Sequence, residues 1–439
     1  MIPDRRTLYA FAALIVFVTL VGVWQGPANV SLLIAHTLAY SLIALGLNIQ
    51  FGYGGLFNFA IMGFLMVGGA TNVFFSFPIN PDFWASDGPM LLGRALLAFV
   101  AGALLVLGAR RLDRFGIKGK ARGIAIGIAW FVAYLVYRSQ IDPAAAYIES
   151  TSGWIGGLGL YPVIGWAMAG VVVAFIARII GKITLGLRSD YLAIATIGIS
   201  EILRSFVKNM DWLTRGTLAV SPVPWPVPQP QNLQAVGVSI DDSFVYARLG
   251  FILLLAVVFV AAFVLVNRAY GGPWGRMMRA IRDNHVAAEA MGKNVRVRQL
   301  ELFVLGSILM GIGGAMLVTF SQILDPSGYQ PINHTFLVWV MVIVGGAGNN
   351  WGAVLGAVLI YFIWILSDPL AQFLFLNLSR WTEAIGWGAI PEIDSRSLQM
   401  RVFVLGLVIS IALRYAPQGL IPEIVHKHHP ELGHKKAGA

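Results

Sequence analysis

The sequence predicts an all-α, polytopic integral membrane protein with about 10–12 transmembrane helices. Of its 439 residues, 57% are hydrophobic and only 12% are charged, and the mean hydropathy is +0.74. A soluble domain carries roughly 45–50% apolar and about 25% charged residues. This charge density is too low to cover a soluble surface of this size. The composition therefore excludes a soluble enzyme, a disordered chain and a nucleic-acid-binding module.

Apolar runs of about 17–25 residues can cross a bilayer as helices. The first run, 8–24, is longer than the apolar core of a signal peptide and no small-residue cleavage site follows it, so residues 1–29 are expected to hold a retained membrane helix. Residues 335–366 contain two short runs that could instead form one broken or re-entrant element. The remaining runs are 30–50, 57–76, 90–108, 122–137, 161–180, 190–208, 248–267, 300–320 and 399–415.

The loops differ sharply in basic charge. Loops 109–122 and 268–299 are rich in Lys and Arg, whereas 77–89 and 321–334 have none and 209–247 has only Arg215. Because Lys and Arg stay on the cytoplasmic side, we expect both termini in the cytoplasm. The formal net charge of +10 is then mostly a topology signal.

The predicted membrane domain spans residues 30–422, with one polar loop inside it and one polar tail after it. The outer loop 209–247 carries proline at alternate positions from 222 to 230, which favours an extended path; it is either a rigid connector or a docking surface. Residues 423–439 form a tail rich in His and Lys. A solvated cytoplasmic tail is the simpler interpretation, and a weak metal site is the alternative.

Signatures of catalysis and of cofactor binding are missing from the sequence. No phosphate-binding Gly-x-x-x-x-Gly-Lys-Ser/Thr motif occurs, and the glycine-rich run 345–352 has Trp351 where a dinucleotide site needs its last glycine. No cysteine is present, which removes thiolate catalysis and cysteine metal sites. We therefore predict no catalytic residue, no metal site and no bound cofactor.

Loop 273–298 is predicted to hold an amphipathic helix that ends at Gly292. Met277, Ile281, Ala288 and Met291 fall on one stripe, while Arg276, Arg279, Arg282 and Asp283 lie off it. The small residues near the end of the helix favour docking of a partner protein, and a plain interfacial helix is the alternative.

Two glycine clusters, at 52–55 and 345–348, could line a substrate path. Irregular backbone in lipid is tolerated only where it is buried or lines a cavity, and broken helices can bind polar substrates; tight turns at the membrane face are the alternative. Asn58 is the polar side chain that we expect to line the path. Enlarging Gly55 or Gly346 should then impair transport, whereas Gly102 and Gly127 should tolerate it.

The run 190–208 contains ionisable residues. Glu201 and Arg204 are three residues apart, so they share a helix face and can pair. Charges in a span are usually functional, although Arg204 could extend to the outer interface. A proton-relay role for Glu201 is a further alternative.

Motifs along most of the chain resemble the LivM (also BraE) family of ABC-transporter permeases for branched-chain amino acids. The matching segments lie in order between about residue 40 and residue 422. They are Leu45–Leu56, Asp190–Gly198 with Glu201 to Arg204, Leu213-Thr214, Arg279–Asn294, Val344–Gly348 and Tyr415–Pro422.

This resemblance implies a subunit of a bacterial inner-membrane importer with a many-helix core. Its partners would be a second, LivH-like permease, two cytoplasmic ATPases that bind the ATP, a periplasmic substrate-binding protein, an amino-acid substrate and membrane lipid, with no nucleic acid. Residues 287–292 correspond to the helix that couples a permease to its ATPase. The predicted coupling residues are Arg276, Arg279, Asp283, Ala288, Glu289, Ala290 and Gly292, and the predicted path residues are Gly54, Gly55, Asn58, Glu201, Thr214, Gly345, Gly346 and Gly348.

The sequence departs from the family pattern at two places. Arg215–Val220 replaces the Gly-Gly-Pro-Asn-Gly-Ile that usually follows the Leu-Thr pair, and segment 77–160 is longer than the family core requires, so that the helices at 90–137 would be additions. A permease for urea or short amides is therefore an alternative. Alternatives of another kind are an ion-coupled secondary carrier that uses Glu201 and Arg204, and a scaffold that does not transport.

Overall fold

The computed structural model describes residues 4–115, 118–388 and 390–423. Over these residues it is helical, with two isolated β-bridges. The helices are α1 (Arg5–Gln25), α2 (Pro27–Leu47), α3 (Ile61–Ser76), α4 (Pro81–Ala85), α5 (Gly88–Arg110), α6 (Lys120–Thr151), α7 (Pro162–Thr184), α8 (Ser189–Lys208), α9 (Asp211–Thr214), α10 (Pro230–Ala235), α11 (Ile240–Gly271), α12 (Pro273–Asp283), α13 (His285–Ala290), α14 (Val295–Ser321), α15 (Leu337–Gly345), α16 (Asn350–Ala384) and α17 (Ile393–Tyr415). Short π-helices, Asn48–Tyr53 and Ile332–Phe336, extend α2 and precede α15, and a 3-10 helix, Leu112–Phe115, follows α5.

The predicted all-α membrane fold is confirmed. Each of the predicted apolar runs contains a helix, and nine helices of the described chain are long and apolar enough to cross a membrane. Three predicted runs fall outside these nine. Helix α3 and the segment 332–345 are shorter. Helix α8 has 20 residues, but they include Asp190, Glu201, Arg204 and Lys208. Helices α6, α11 and α16 have 32, 32 and 35 residues, so they extend well beyond the predicted runs.

The connections between helices gather at two opposite ends of the bundle. At the proline-rich end, the backbone N–H of Ile155 donates to the carbonyl of Trp212, and Val220 forms a bridge with Leu324. At the basic end, Arg282 reaches Gly52 and Glu423, and the N–H of Ile421 donates to the carbonyl of Gly345. Successive long helices therefore run in alternate directions between the two ends.

The segment 335–366 forms two antiparallel helices, α15 and α16. Gly346 has a φ of 121° and Gly348 a φ of 85°, a region that favours glycine. Gly345 approaches Gly352, and Met341 approaches Gly356 one turn further on. The two-helix interpretation is therefore the one that the structure adopts, with the chain reversing at the basic end.

The centre of the bundle is built from α2, α3, α7 and α14. Backbones approach closely where glycine meets glycine, as at Gly46 beside Gly306 and Gly68 beside Gly311. Small residues at helix contacts allow this approach in membrane proteins. The side chains of Ile43, Phe64 and Phe303 fill the space between the helices and are fully buried.

Helices α5 and α6 form a hairpin beside this core. They pack chiefly on each other and meet neighbouring parts of the chain through α4 and α9. This placement agrees with the interpretation of 77–160 as an addition, which stays a prediction. Of the predicted tail 423–439, Glu423 is described and the rest, including its histidines, lies outside the described residues.

Candidate coupling and translocation site

The segment between α11 and α14 forms two short helices rather than the single one predicted. Helix α12 ends at Asp283, and Asn284 has an extended backbone with φ −155° and ψ 96°. The Asn284 side chain accepts a hydrogen bond from the N–H of Ala287 at 3.0 Å, which makes Asn284 the N-cap of α13. Because the chain bends here, Met277 and Met291 do not share a stripe on one continuous helix.

Helix α13 ends at Ala290, and Gly292 terminates it two residues later, as the glycine in the sequence predicted. The N–H of Gly292 donates to the carbonyl of Glu289 at 2.8 Å, and the N–H of Lys293 donates to that of Ala288 at 3.1 Å. Gly292 has a φ of 76°, so these two hydrogen bonds form a Schellman ending.

The tip of this segment faces outward. Ala288 is buried, while Glu289, Ala290 and Gly292 are exposed. Val286 is 64% exposed and Met291 is 79% exposed. These exposed apolar side chains sit beside small residues at the basic end, which is a surface suited to a protein groove.

The predicted charged residues of α12 have different surroundings. Arg276 is exposed, and Asp283 is exposed and pairs with Arg282 at 3.2 Å. Arg279 is half-buried and borders a small cavity of about 20 Å³ together with Tyr53, Gly348 and Glu423. Of the three, Arg279 is therefore the one turned toward the bundle.

Arg282 belongs to the site, although it is absent from the predicted coupling residues. Its Nη1 donates to the carbonyl of Gly52 at 2.5 Å and to Oε2 of Glu423 at 2.8 Å. Burial lowers the pKa of this guanidinium, but Glu423 and Asp283 outweigh burial and raise the pKa above its usual value. Arg282 thus carries its charge into the bundle and joins the α12–α13 segment to the π-helix that ends α2.

The two glycine clusters lie against each other at this same end. A Cβ on Gly52 would meet the backbone of Gly348, and one on Gly348 would meet Glu423 and Arg282. A Cβ on Gly346 would meet the carbonyl of Ile421. The predicted path residues Gly345, Gly346 and Gly348 are buried.

Gly54 and Gly55 follow the π-helix. Gly54 is buried, and a Cβ there would lie 2.7 Å from a methyl carbon of Leu302. Gly55 is half-buried with a φ of 63°, and its Cβ would lie 3.4 Å from Cγ of Arg282. The glycines of both clusters therefore permit close packing beside Arg282, and a role in the substrate path stays a prediction.

Amide side chains fix the backbone around these clusters. Asn48 accepts from the N–H of Gly348 at 2.8 Å and donates to Asn350 at 3.0 Å. Asn350 in turn donates to Asn267 at 2.7 Å. Buried polar groups need such partners, and the network ties α2 to α16 and α11.

Asn58 belongs to a second amide group. Its Nδ2 donates to Gln50 at 2.8 Å and its Oδ1 accepts from the N–H of Ala60 at 2.9 Å, while Gln50 donates to the carbonyl of Phe303 at 2.7 Å. Asn58 is fully buried. Both ends of its amide are therefore engaged within the chain, and its predicted place on the path stays a prediction.

An aromatic wall stands next to Asn58, where residues 57–60 leave the helical path before α3. Trp339 packs at 4.7 Å from the ring centres of Phe51 and Phe59, and at 5.9 Å from that of Phe57. Its indole N–H donates to the carbonyl of Asn58 at 3.2 Å. Phe57 is 37% exposed, so the wall has an open side.

Glu201 and Arg204 form the ion pair that their spacing predicts, with a separation of 3.3 Å. Arg204 also lies 3.5 Å from the carbonyl of Ser327 in a connection at the proline-rich end. Thr214 is buried, and its hydroxyl lies 2.6 Å from the carbonyl of Val207. Thr214 thus fastens α9 to the end of α8 on the same side.

Helix α8 presents a polar stripe, which we define as Asp190, Glu201, Arg204, Ser205 and Lys208. At 100° per residue these positions fall within one face. The opposite face, with Leu192, Thr196 and Ser200, is buried against the bundle. The polar stripe is wholly or partly exposed along the length of the helix.

Acid and histidine side chains offer no metal centre within the described residues, where no group of three or more is close enough to hold an ion. The predicted weak site in the tail lies outside those residues. This observation says nothing about cofactors of partner proteins.

A family of known proteins matches most of this chain. Residues 121–413, more than half of the chain, match the family described as the branched-chain amino acid transport system permease component. The match begins at the start of α6, inside the segment interpreted as an addition. No solved structure matches the chain.

Three similar proteins are permeases by name. A probable branched-chain amino acid transport permease protein LivM of Methanocaldococcus jannaschii is 23% identical over 400 residues, which cover 88% of this chain and 90% of the relative. The high-affinity LivM permease proteins of Escherichia coli and Salmonella typhimurium are 26% and 27% identical over 218 residues, 46% of this chain and 50% of each relative. With the family match and the helical membrane fold, these similarities show that the chain belongs to the branched-chain amino acid transport permease family.

Proposed function

We propose that this chain is the permease subunit of an ATP-driven importer that moves branched-chain or related hydrophobic amino acids across the bacterial inner membrane. The observation that carries the proposal is the α12–α13 segment, whose exposed tip stands opposite a charged contact into the bundle. The basic end would face the cytoplasm, with both termini there.

The tip of α13 is suited to an ATPase groove. Val286 and Met291 supply exposed apolar area, and Ala290 and Gly292 let another chain approach closely. Movement of the tip would be transmitted through α12, because Arg282 connects that helix to Gly52 and Glu423. The ATP would be bound and hydrolysed on two separate ATPase subunits.

The polar stripe of α8 supports a second, LivH-like permease as a partner. A membrane-spanning helix cannot leave several charges against hydrocarbon without a large cost. Asp190 and Lys208 lie at the two ends of α8, but Glu201 and Arg204 lie within it and therefore need either a protein neighbour or an aqueous path beside them. A path between two permease subunits would provide both, and a periplasmic binding protein would deliver the substrate at the proline-rich end.

The aromatic wall supports a substrate with an apolar side chain. Phe57 and Trp339 offer rings at the place where the chain departs from helical geometry, beside Asn58. The ammonium and carboxylate of an amino acid would still need polar partners, because such groups are costly in an apolar medium. Urea and short amides have little apolar surface to pack against an aromatic wall, so they are the less favoured substrates.

An ion-coupled carrier is the second candidate, favoured by the Glu201–Arg204 pair. The two proposals differ in their energy source. We expect uptake into proteoliposomes to need the second permease, the ATPases, the binding protein and ATP, and to persist when an ionophore collapses the proton gradient. Accumulation of leucine by this chain alone on a proton gradient would instead establish the carrier.

A further inference from the structure

The α5–α6 hairpin contains a groove that the proposed transport function does not use. The groove has a volume of about 390 Å³ and runs along both helices. It exists because α5 and α6 touch through small side chains: a Cβ on Gly102 would lie 2.9 Å from that of Ala133. Aromatic residues, including Phe99, Trp130 and Tyr134, form its walls.

The groove opens toward a dense basic cluster. Arg110 lines its end, and Arg111, Lys118, Lys120 and Arg122 lie on the same turn, with Asp113 as the acidic residue among them. Arg122 donates to the carbonyl of Arg110 at 2.5 Å and lies 3.7 Å from Asp113. Its Nε is buried and has no hydrogen-bond partner.

An apolar groove that leads to several cations suits a molecule with a hydrocarbon chain and an anionic headgroup. We propose that the hairpin binds an anionic phospholipid, with an acyl chain in the groove and the phosphate at Arg110 and Arg122. The wall side chains accept hydrocarbon, and basic pockets between membrane helices on the cytoplasmic side recognise anionic headgroups. From Phe99 to Arg110 the helix rises about 16 Å, enough for an acyl chain to lie along it.

Positive charge on a cytoplasmic turn is not itself a lipid site, since topology alone requires it. The α7–α8 turn provides the comparison, because Lys182 and Arg188 are also basic and exposed there. What distinguishes the hairpin is the groove that continues from its cations. The proposal is independent of transport, so it can fail while the permease assignment stands.

The test uses delipidated full-length protein in detergent, with added dioleoyl phosphatidylglycerol or dioleoyl phosphatidylcholine, and native mass spectrometry to count bound lipid. We expect phosphatidylglycerol to be retained preferentially. Replacing Arg110 and Arg122 together by Gln should weaken its binding about fivefold for each arginine. The matched control replaces Lys182 and Arg188 by Gln and should leave the retention unchanged.

A second pair of variants tests the groove without altering charge. Ala103→Phe should fill the groove and reduce phosphatidylglycerol retention, whereas Ala101→Phe, on the same helix but outside the lining, should not. Equal retention of the two lipids, or equal loss in the test and control variants, would overturn the proposal. Loss of the lipid on assembly with the partner subunits would overturn it as well, because a protein would then occupy the groove.

Discussion

Arg282 and Glu423 are 141 positions apart in the chain, yet Nη1 of Arg282 lies 2.8 Å from Oε2 of Glu423. The two side chains are 23% and 18% exposed, so water screens the pair only in part. The same Nη1 also donates to the carbonyl of Gly52. Three distant parts of the chain therefore meet at one guanidinium.

We expect Arg282→Gln to lower uptake, because the α12–α13 segment would lose its charged contact with Glu423. The single variants Arg282→Glu and Glu423→Arg should both be impaired, and the double exchange should recover part of the activity. A coupling energy of about 0.5–3 kcal/mol is expected for residues in contact. Thermal unfolding of the four proteins in detergent measures it, and strictly additive effects would contradict the pairing.

The end of α13 gives a second prediction. Gly292→Val should abolish uptake while membrane insertion stays normal, because a left-handed backbone costs a residue with a Cβ about 1–2 kcal/mol and the added bulk lies on the docking tip. Gly292→Asn should retain more activity, since Asn adopts this conformation more readily. Gly186→Val is the control, because that glycine also has open space around it. Normal uptake by Gly292→Val at an equal membrane level would refute docking at this tip.

A third prediction concerns substitutions that enlarge the glycines of the two clusters, with Gly127 for comparison. Gly55→Ala should lower transport with modest loss of protein, because a residue with a Cβ is strained at the φ of 63° and its Cβ would contact Arg282. Gly346→Ala should reduce the amount of folded protein as well, since its Cβ would collide with the backbone at Ile421. Gly127→Ala should be harmless, as nothing lies within 4 Å of that position.

The sequence predicted that Gly102 would tolerate enlargement, but its surroundings in the hairpin leave too little space. Its Cβ would meet Ala133 closely, so Gly102→Val should loosen the hairpin. Uptake and membrane level, measured together for the four variants, separate these effects. If Gly127→Ala lost the most uptake of the four variants, the placement of the substrate path beside the two glycine clusters would be contradicted.

The fourth prediction concerns stability. Asn48→Ala should destabilise the protein by about 2–4 kcal/mol, because it leaves the N–H of Gly348 and Oδ1 of Asn350 without their partner in a buried place. Asn29→Ala should have little effect, since that exposed side chain bonds only to the carbonyl of Gln25 within its own region. Thermal unfolding in one detergent compares them, and similar midpoints would argue against the network.

Hydropathy and charge were enough to predict the helical membrane fold, because lipid leaves few other ways to satisfy a backbone. The ending at Gly292 could also be predicted, since only local geometry decides it. The break at Asn284 had a local signal too: an N-cap residue stands there, but the continuous pattern of apolar residues favoured one helix.

Contacts between remote segments could not be predicted in this way. Asn58 was the polar side chain expected to line the path, yet it is buried in an amide network, as are Asn48 and Gln50. Arg282 resembled any other basic residue of the loop that was predicted to be cytoplasmic. Its partners, Gly52 and Glu423, come from segments that only the folded chain brings together.

The position of Glu423 has a consequence for how the protein is made. Residues 416–423 pack on Gly345 and Gly346, and they leave the ribosome after every helix described above. Until they arrive, Arg282 lacks the carboxylate of Glu423 and keeps only that of Asp283, and the turn between α15 and α16 is uncovered. A nascent or truncated chain can therefore insert its helices without completing the basic end, and a partner that recognises that end would distinguish finished molecules from unfinished ones.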